Sequence, residues 1–298
     1  MGNHSTFSMK RVLQRWEREG ERQERVYPAK RQAHPNAIHG LPITPIRELR
    51  KLKGASFCCS YWRPEQLETA ISLLGPDSVL LLDNGAYSAW NAGITLDEAY
   101  WDGYWEWALN IIDRVDQAVA VIPDVIDGDE FKNGRMVSEA VGLHYFSTER
   151  FMPVWHLHES LDYLDYLVSG GWGHIAFGSS GEYATVGTHA WRARITEAFD
   201  AVERGIEEYA HARPRIHMMR GLGQLAFGEF PFATADSTNV ARNHSARRGV
   251  GEDITAFRER LERFTFPAPA GAFWPRHSYD PAPKCKPAPR QAELFRLG

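Results

Sequence analysis

The chain has 298 residues, 43% hydrophobic and 24% charged, with a formal net charge of −4. That balance suits a globular enzyme with a large core, and no run of about 18 apolar residues offers a membrane span. The polar, charged residues 1–25 lack the apolar core of a secretory signal. Three cysteines (Cys58, Cys59, Cys285) cannot build a disulfide framework, so the expected compartment is a reducing cytoplasm, that of a host if the chain is phage-encoded.

The mean charge hides a pattern. Residues 1–53 hold 12 Lys/Arg against 5 acids, and residues 242–298 hold 11 against 6. Between them, 54–241 hold 11 against 27. An acidic body with basic ends suits a protein that grips a polyanion with its ends; two solvated tails would give the same counts.

Residues 9–25 read as a charged helix. Residues 26–46, with Pro28, Pro35, Pro42 and Pro45, read as an extended linker. From Ala55 a regular alternation begins, in which short apolar runs predict buried strands and each is followed by a helical pattern. The runs are 55–62, 78–85, 117–124, 150–158, 174–180, 215–223 and 231–238. Helices are predicted after them, including one from Thr95 with Glu98 as a capping box, 133–146, 188–211 and one near 252–263. Seven βα units are counted, and an eighth strand has no obvious place. The first βα turn, Cys59-Ser60-Tyr61-Trp62, lacks the G-x-G-x-x-G of a dinucleotide fold. The expected architecture is therefore α/β, a (β/α)8 barrel over 54–265, preceded by a basic helix and linker over 1–53 and followed by a Pro-rich basic tail over 266–298.

In such a barrel the chemistry sits where strands end. The predicted strands end at Asp83-Asn84-Gly85, Pro123-Asp124, His156-Leu157-His158, Gly178-Ser179-Ser180, Arg220-Gly221 (after His217) and Asp236-Ser237. Each has a plain alternative: Asp83-Asn84-Gly85 as a turn, Asp124 as a loop cap, Asp236 as a helix cap. Three carboxylates at one end of three strands point instead to a shared site, since a buried carboxylate is costly unless used or paired. His156 and His158, two apart on a strand, would share one face and leave a metal-dependent hydrolase open as an alternative. The aromatics of 100–107 recur at helical spacing and read as core packing rather than a base-stacking platform.

In order along the chain, LLLDNGAYSAW, IPDVIDGD, FGSSGE, HMMRGLG and ATADSTNVARN resemble the motifs of the tRNA-guanine transglycosylase family. They are most similar to its phage and bacterial branch acting on DNA, the DNA 7-deazaguanine transglycosylases. The resemblance spans roughly residues 55–245. It implies exchange of guanine in DNA for a 7-deazaguanine base of the preQ0 type. By that resemblance Asp236 would be the nucleophile and Asp83 the proton carrier. Asp124 would bind the donor edge of the base, Tyr87 and Met219 its faces, and the Gly178–Ser179 backbone its carbonyl, with His156 as a further polar contact. The partners implied are guanine-containing DNA, with the target base flipped or single-stranded, and a free deazaguanine base. The tRNA enzymes carry a C-x-C-x2-C zinc site after the nucleophile, where this chain has only Cys285, and Asn84 replaces their usual Ser. Neither a metal nor another cofactor is expected, and tRNA remains the alternative substrate.

Overall fold

A computed structural model describes residues 36–126, 129–142, 148–209, 212–222, 230–244 and 253–262. The basic helix expected over 9–25 and the tail over 266–298 lie outside the described residues. Nine strands occur among the described residues: β1 Asn36–Gly40, β2 Ser56–Ser60, β3 Leu80–Asp83, β4 Ala118–Val121, β5 Phe151–Met152, β6 Val154–His156, β7 His174–Gly178, β8 Arg215–Met218 and β9 Thr234–Ser237. All the pairs are parallel, in the order β5-β4-β3-β2-β1-β9-β8-β7-β6. The two ends of that order are consecutive pieces of chain, parted only by Pro153, which has no N–H to give to a ladder. The carbonyl of Pro153 still accepts from Ala176 N at 2.9 Å. The sheet therefore comes round on itself as a TIM-type α/β barrel, with β5 and β6 as two halves of one strand.

The eighth strand is β1, inside the segment expected to be a linker. It pairs with β2 on one side and β9 on the other, with Ile38 opposite both Ser56 and Asp236. Pro35 and Pro42 flank these five residues without interrupting them, so the prolines bound a strand here rather than exclude one. The barrel accordingly begins at Asn36 and not at residue 54.

Helices α1 Ile46–Leu49, α2 Leu67–Leu73, α3 Ala86–Asn91, α4 Glu98–Arg114, α5 Glu130–Gly142, α6 Leu161–Ser169, α7 His189–Tyr209, α8 Asn239–Asn243 and α9 Ile254–Glu262 form the outer layer. Strand alternation sends one set of side chains outward, where Phe57, Leu82, Trp155 and Phe177 pack on the helices. The other set fills the barrel: Ile38, Leu81, Val119, Val121, Met152, Val154 and Ala176. No described helix is long and apolar enough to cross a membrane.

The cap of α4 differs from the predicted Thr95 box. Asp97 is the N-cap, and its carboxylate accepts from Tyr100 N at 2.9 Å. An aspartate two residues closer to the helix takes the exposed N–H groups first. The aromatic face of α4 is a packing face, as predicted: Tyr104 and Trp105 are buried, and Tyr61 packs edge-on against Tyr100 and Tyr104. Two of these rings also reach the barrel mouth. Tyr104 Oη donates to the carbonyl of Val121 and lies 3.2 Å from that of Leu82, and Tyr100 Oη donates to Asn84 O at 2.8 Å.

Candidate active site

The inward positions carry the polar chemistry. Counting by twos along the strands gives Cys58 and Ser60 on β2, Asp83 on β3, His156 on β6, His217 on β8, and Thr234 and Asp236 on β9. The register holds their strand ends level, with Ser60 opposite Asp83 and His156 opposite Gly178.

Asp83 ends β3 at a turn that needs glycine. Gly85 has φ of 80°, and a Cβ there would lie 2.5 Å from Tyr100 Oη. The turn brings Gly85 N to Asp83 Oδ2 at 3.1 Å. Burial raises the Asp83 pKa to about 6; the Ser60 hydroxyl opposes that, and the negative charges of Asp124 and Asp236 add to it. Below both carboxylates the Cys58 thiol is pushed well up by burial and then by Asp83 and Asp236. The carboxylates ending β3 and β9 thus share one field across the barrel.

Asn84 is a buried strut rather than a simple turn residue. Its Nδ2 donates to Asp124 Oδ1 at 2.6 Å and to Ile122 O at 3.0 Å, while its Oδ1 accepts from Ala86 N at 2.9 Å. Asp124 follows β4, and its Oδ2 lies 3.0 Å from His156 Nε2. On the other side of the ring, His156 Nδ1 is 3.5 Å from Glu159 Oε2 and 3.4 Å from Asn133 Nδ2. Glu159 also accepts from His156 N at 2.6 Å and from Asn133 Nδ2 at 2.7 Å. Burial disfavours the imidazolium, yet the Asp124 and Glu159 carboxylates outweigh it and raise the His156 pKa to about 9. Gly178 leaves the space for that ring, since a Cβ there would sit 3.0 Å from His156 Cδ2.

Asp236 completes the rim with a side chain 14% exposed. Its Oδ1 accepts from Arg220 N at 2.6 Å, and His217 Nε2 lies 3.3 Å from the same oxygen. Arg220 has φ of 58°, a left-handed backbone that turns its N–H toward the carboxylate and is uncommon outside glycine. Its guanidinium lies 4.2 Å from the ring centre of Tyr87, and Nη2 donates to Ser179 O at 3.0 Å. Tyr87, Ser179 and Asp236 therefore meet around one arginine. Met219, the residue after β8, packs against the apolar barrel filling.

The residues predicted from strand ends are thus gathered at one mouth. The His156 and His158 rings stand side by side, with centroids 5.8 Å apart, although β6 ends at His156; His158 Nδ1 meets Ser180 Oγ at 2.7 Å. Among the described residues no group of three or more His, Cys, Asp or Glu could hold a metal ion. Asn133, Glu159, His217 and Arg220 join the site although sequence reasoning assigned them no role. Arg220 and His217 stood at a strand end recognised from the sequence, and Glu159 lies three residues past His156; Asn133 gave no such signal.

Neither a protein-family model nor a curated protein matches this chain.

Two carboxylates of that site have unlike surroundings. Asp83 is half-buried beside other anions and holds its proton to near neutral pH. Asp236 is met by Arg220 N at 2.6 Å and has His217 Nε2 3.3 Å away. One is suited to carry a proton and the other to act as an anion, a division that acid–base and covalent catalysis both exploit. In a second pair, His156 turns Nε2 to Asp124 and Nδ1 to Glu159, and Asp124 keeps lone pairs that can accept a further donor.

Proposed function

We propose that this barrel is a transglycosylase that exchanges guanine in DNA for a 7-deazaguanine base of the preQ0 type through a covalent Asp236–glycosyl intermediate. The observation that carries the reading is the contrast between Asp83, raised to about 6, and Asp236, met by Arg220 N at 2.6 Å, at one barrel mouth. Glycosyl exchange through an oxocarbenium-like transition state calls for one carboxylate as nucleophile and one as proton carrier. Asp236 attacks C1′ of the target nucleotide while Asp83 protonates the departing guanine. Asp83 then takes the proton from the incoming base as that base displaces Asp236.

Asp124, held by His156 and Asn84, suits the N–H edge of a guanine-like base. Asp124 accepts from the ring and exocyclic N–H groups. Tyr87 supplies a face for the base plane once Arg220 withdraws from it. A base inside a duplex cannot reach a barrel mouth, so the target nucleotide leaves the stack or is single-stranded. The choice of DNA over tRNA rests on the motif resemblance alone.

The experiment incubates the protein with labelled guanine or preQ0 and, in parallel, duplex DNA, single-stranded DNA and tRNA, followed by digestion to nucleosides. Label in deoxynucleosides supports the reading. Label only in tRNA nucleosides overturns the choice of polymer, and label in neither overturns base exchange.

A further inference from the structure

We propose that His217 is a positioning residue for Asp236: from inside the barrel its Nε2–H holds Oδ1, which leaves Oδ2 as the atom that attacks. The inference rests on reading Asp236 as the nucleophile, and the observations are separate from that reading.

His217 is 1% exposed and lies on β8 beneath the carboxylate. Its Nδ1 lies 2.8 Å from Thr234 Oγ1 on the neighbouring strand, where the register pairs the two residues directly. Its Nε2 has no aligned hydrogen-bond partner, yet it lies 3.3 Å from Asp236 Oδ1. The distance is within reach and only the angle is poor, a common state for catalytic hydrogen bonds before substrate arrives. A nitrogen lone pair facing an ionised carboxylate oxygen would repel it, so the ring nitrogen nearest Asp236 carries the hydrogen. The Thr234 hydroxyl, which can donate, then serves Nδ1. Strand alternation puts Thr234 two residues before Asp236 on the same inward face, so one strand supplies both the nucleophile and the group that sets the ring.

Arg220 N approaches Oδ1 as well. Two N–H groups then address the same oxygen, and no described hydrogen bond reaches Oδ2. In the exchange, the C1′–N9 bond breaks with its electron pair going to guanine, guanine takes the proton from Asp83, and the Oδ2–C1′ bond forms. Oδ1 becomes the ester carbonyl. When the incoming base displaces Asp236, the electron pair of the Oδ2–C1′ bond returns to the carboxylate, and the donors at Oδ1 stabilise that returning charge. Their effect is therefore on turnover rather than on substrate binding.

The test uses His217→Phe, which keeps a ring and removes the donor, and His217→Gln, whose amide N–H stands near the position of Nε2. A charge-assisted hydrogen bond is worth roughly one to two powers of ten. For His217→Phe we expect kcat for base exchange to fall about 10- to 100-fold with KM for DNA and for free base unchanged, and for His217→Gln a substantial recovery of kcat. Unchanged kcat in the Phe variant, or equal loss in both, overturns the proposal. Imidazole ¹⁵N spectra of the resting protein, assigned by the signal lost in His217→Gln, give a readout that needs no substrate. We expect a hydrogen on Nε2 whose signal moves in Asp236→Ala; an Nε2 without hydrogen, or a signal indifferent to Asp236, overturns the proposal. Should wild-type protein exchange no base while the ¹⁵N result holds, the transglycosylase reading fails and the His217–Asp236 coupling stands.

Discussion

Replacing Asp83 by Asn should stabilise the protein at neutral pH while disabling it. In the folded chain burial, with the nearby Asp124 and Asp236, raises the Asp83 pKa from 3.8 to about 6. Unfolded, the same carboxyl ionises near its ordinary value, so between those two pH values the folded state binds the extra proton and stability falls as pH rises. Above about pH 6 the full penalty is present: roughly two pH units at 1.36 kcal/mol each, or about 3 kcal/mol as an upper bound. Asp83 is partly open to the barrel mouth, which reduces that to about 1–3 kcal/mol. Asn is neutral and close in shape, and it retains an oxygen for Gly85 N. A gain of that size raises the melting temperature of a chain this long by roughly 2–5 °C. The assay is thermal unfolding of both proteins at pH 7.5 and pH 4. The gap should be clear at pH 7.5 and close at pH 4, where wild-type Asp83 is also neutral. Base exchange by the variant should fall roughly 10²- to 10⁴-fold with DNA affinity retained. A variant less stable than wild type at pH 7.5, or a gap independent of pH, would refute the claim that Asp83 is held at the expense of the fold.

Asp236→Ala should abolish exchange with the melting temperature within a few degrees of wild type; substantial residual exchange in that variant would remove Asp236 from the nucleophile role. Glu159→Gln keeps the shape beside Asn133 and removes an anion from His156, so the His156 pKa should fall from about 9 to about 8 or lower, because a neighbouring opposite charge is worth about 1–3 pH units. An NMR titration of the ring proton checks it, and an unmoved midpoint would contradict the geometry. Phe177→Ala should cost about 3–5 kcal/mol in urea unfolding, because this fully buried ring meets Trp155, Phe199 and Phe232 at centroid distances of 5.0, 5.7 and 6.1 Å. Deleting residues 1–30 removes seven Lys/Arg and four acids and stops short of β1. If those cations lie along phosphates, the slope of log K against log salt should shrink by about 0.9 for each lost contact. An unchanged slope with a lower melting temperature would make the segment a strut.

Most of the seven legible strands are apolar runs; β9, Thr-Ala-Asp-Ser, was found by the recurring strand–helix alternation and the apolar Phe232-Ala233 just ahead of it. β1 was hidden because its five residues, Asn-Ala-Ile-His-Gly, hold only two apolar side chains and sit among four prolines. Asp83, Asp124, His156 and Asp236 could be found because a strand end is a recognisable position. Their partners could not. Asn133 meets Glu159 across 26 residues of chain, and Arg220 N meets Asp236 across 16. Such pairs are set by helix placement and strand register rather than by local spacing. His217 was visible in its strand, but its depth below Asp236 follows from the pairing of β8 with β9. The capping residue of α4 was missed by two positions for a simpler reason: Thr95 and Asp97 both suit a cap, and sequence alone does not rank them.

The claim at the centre of this account is a covalent bond between Asp236 and the sugar left behind by guanine. Guanine-containing DNA is mixed with the protein without an acceptor base, the mixture is denatured and digested, and the masses of the peptides are read. The account predicts a deoxyribose-bearing adduct on the peptide that contains Asp236, lost in Asp236→Asn and discharged when guanine or preQ0 is added before denaturation. Exchange that proceeds with no adduct, or an adduct on any other residue, would contradict it.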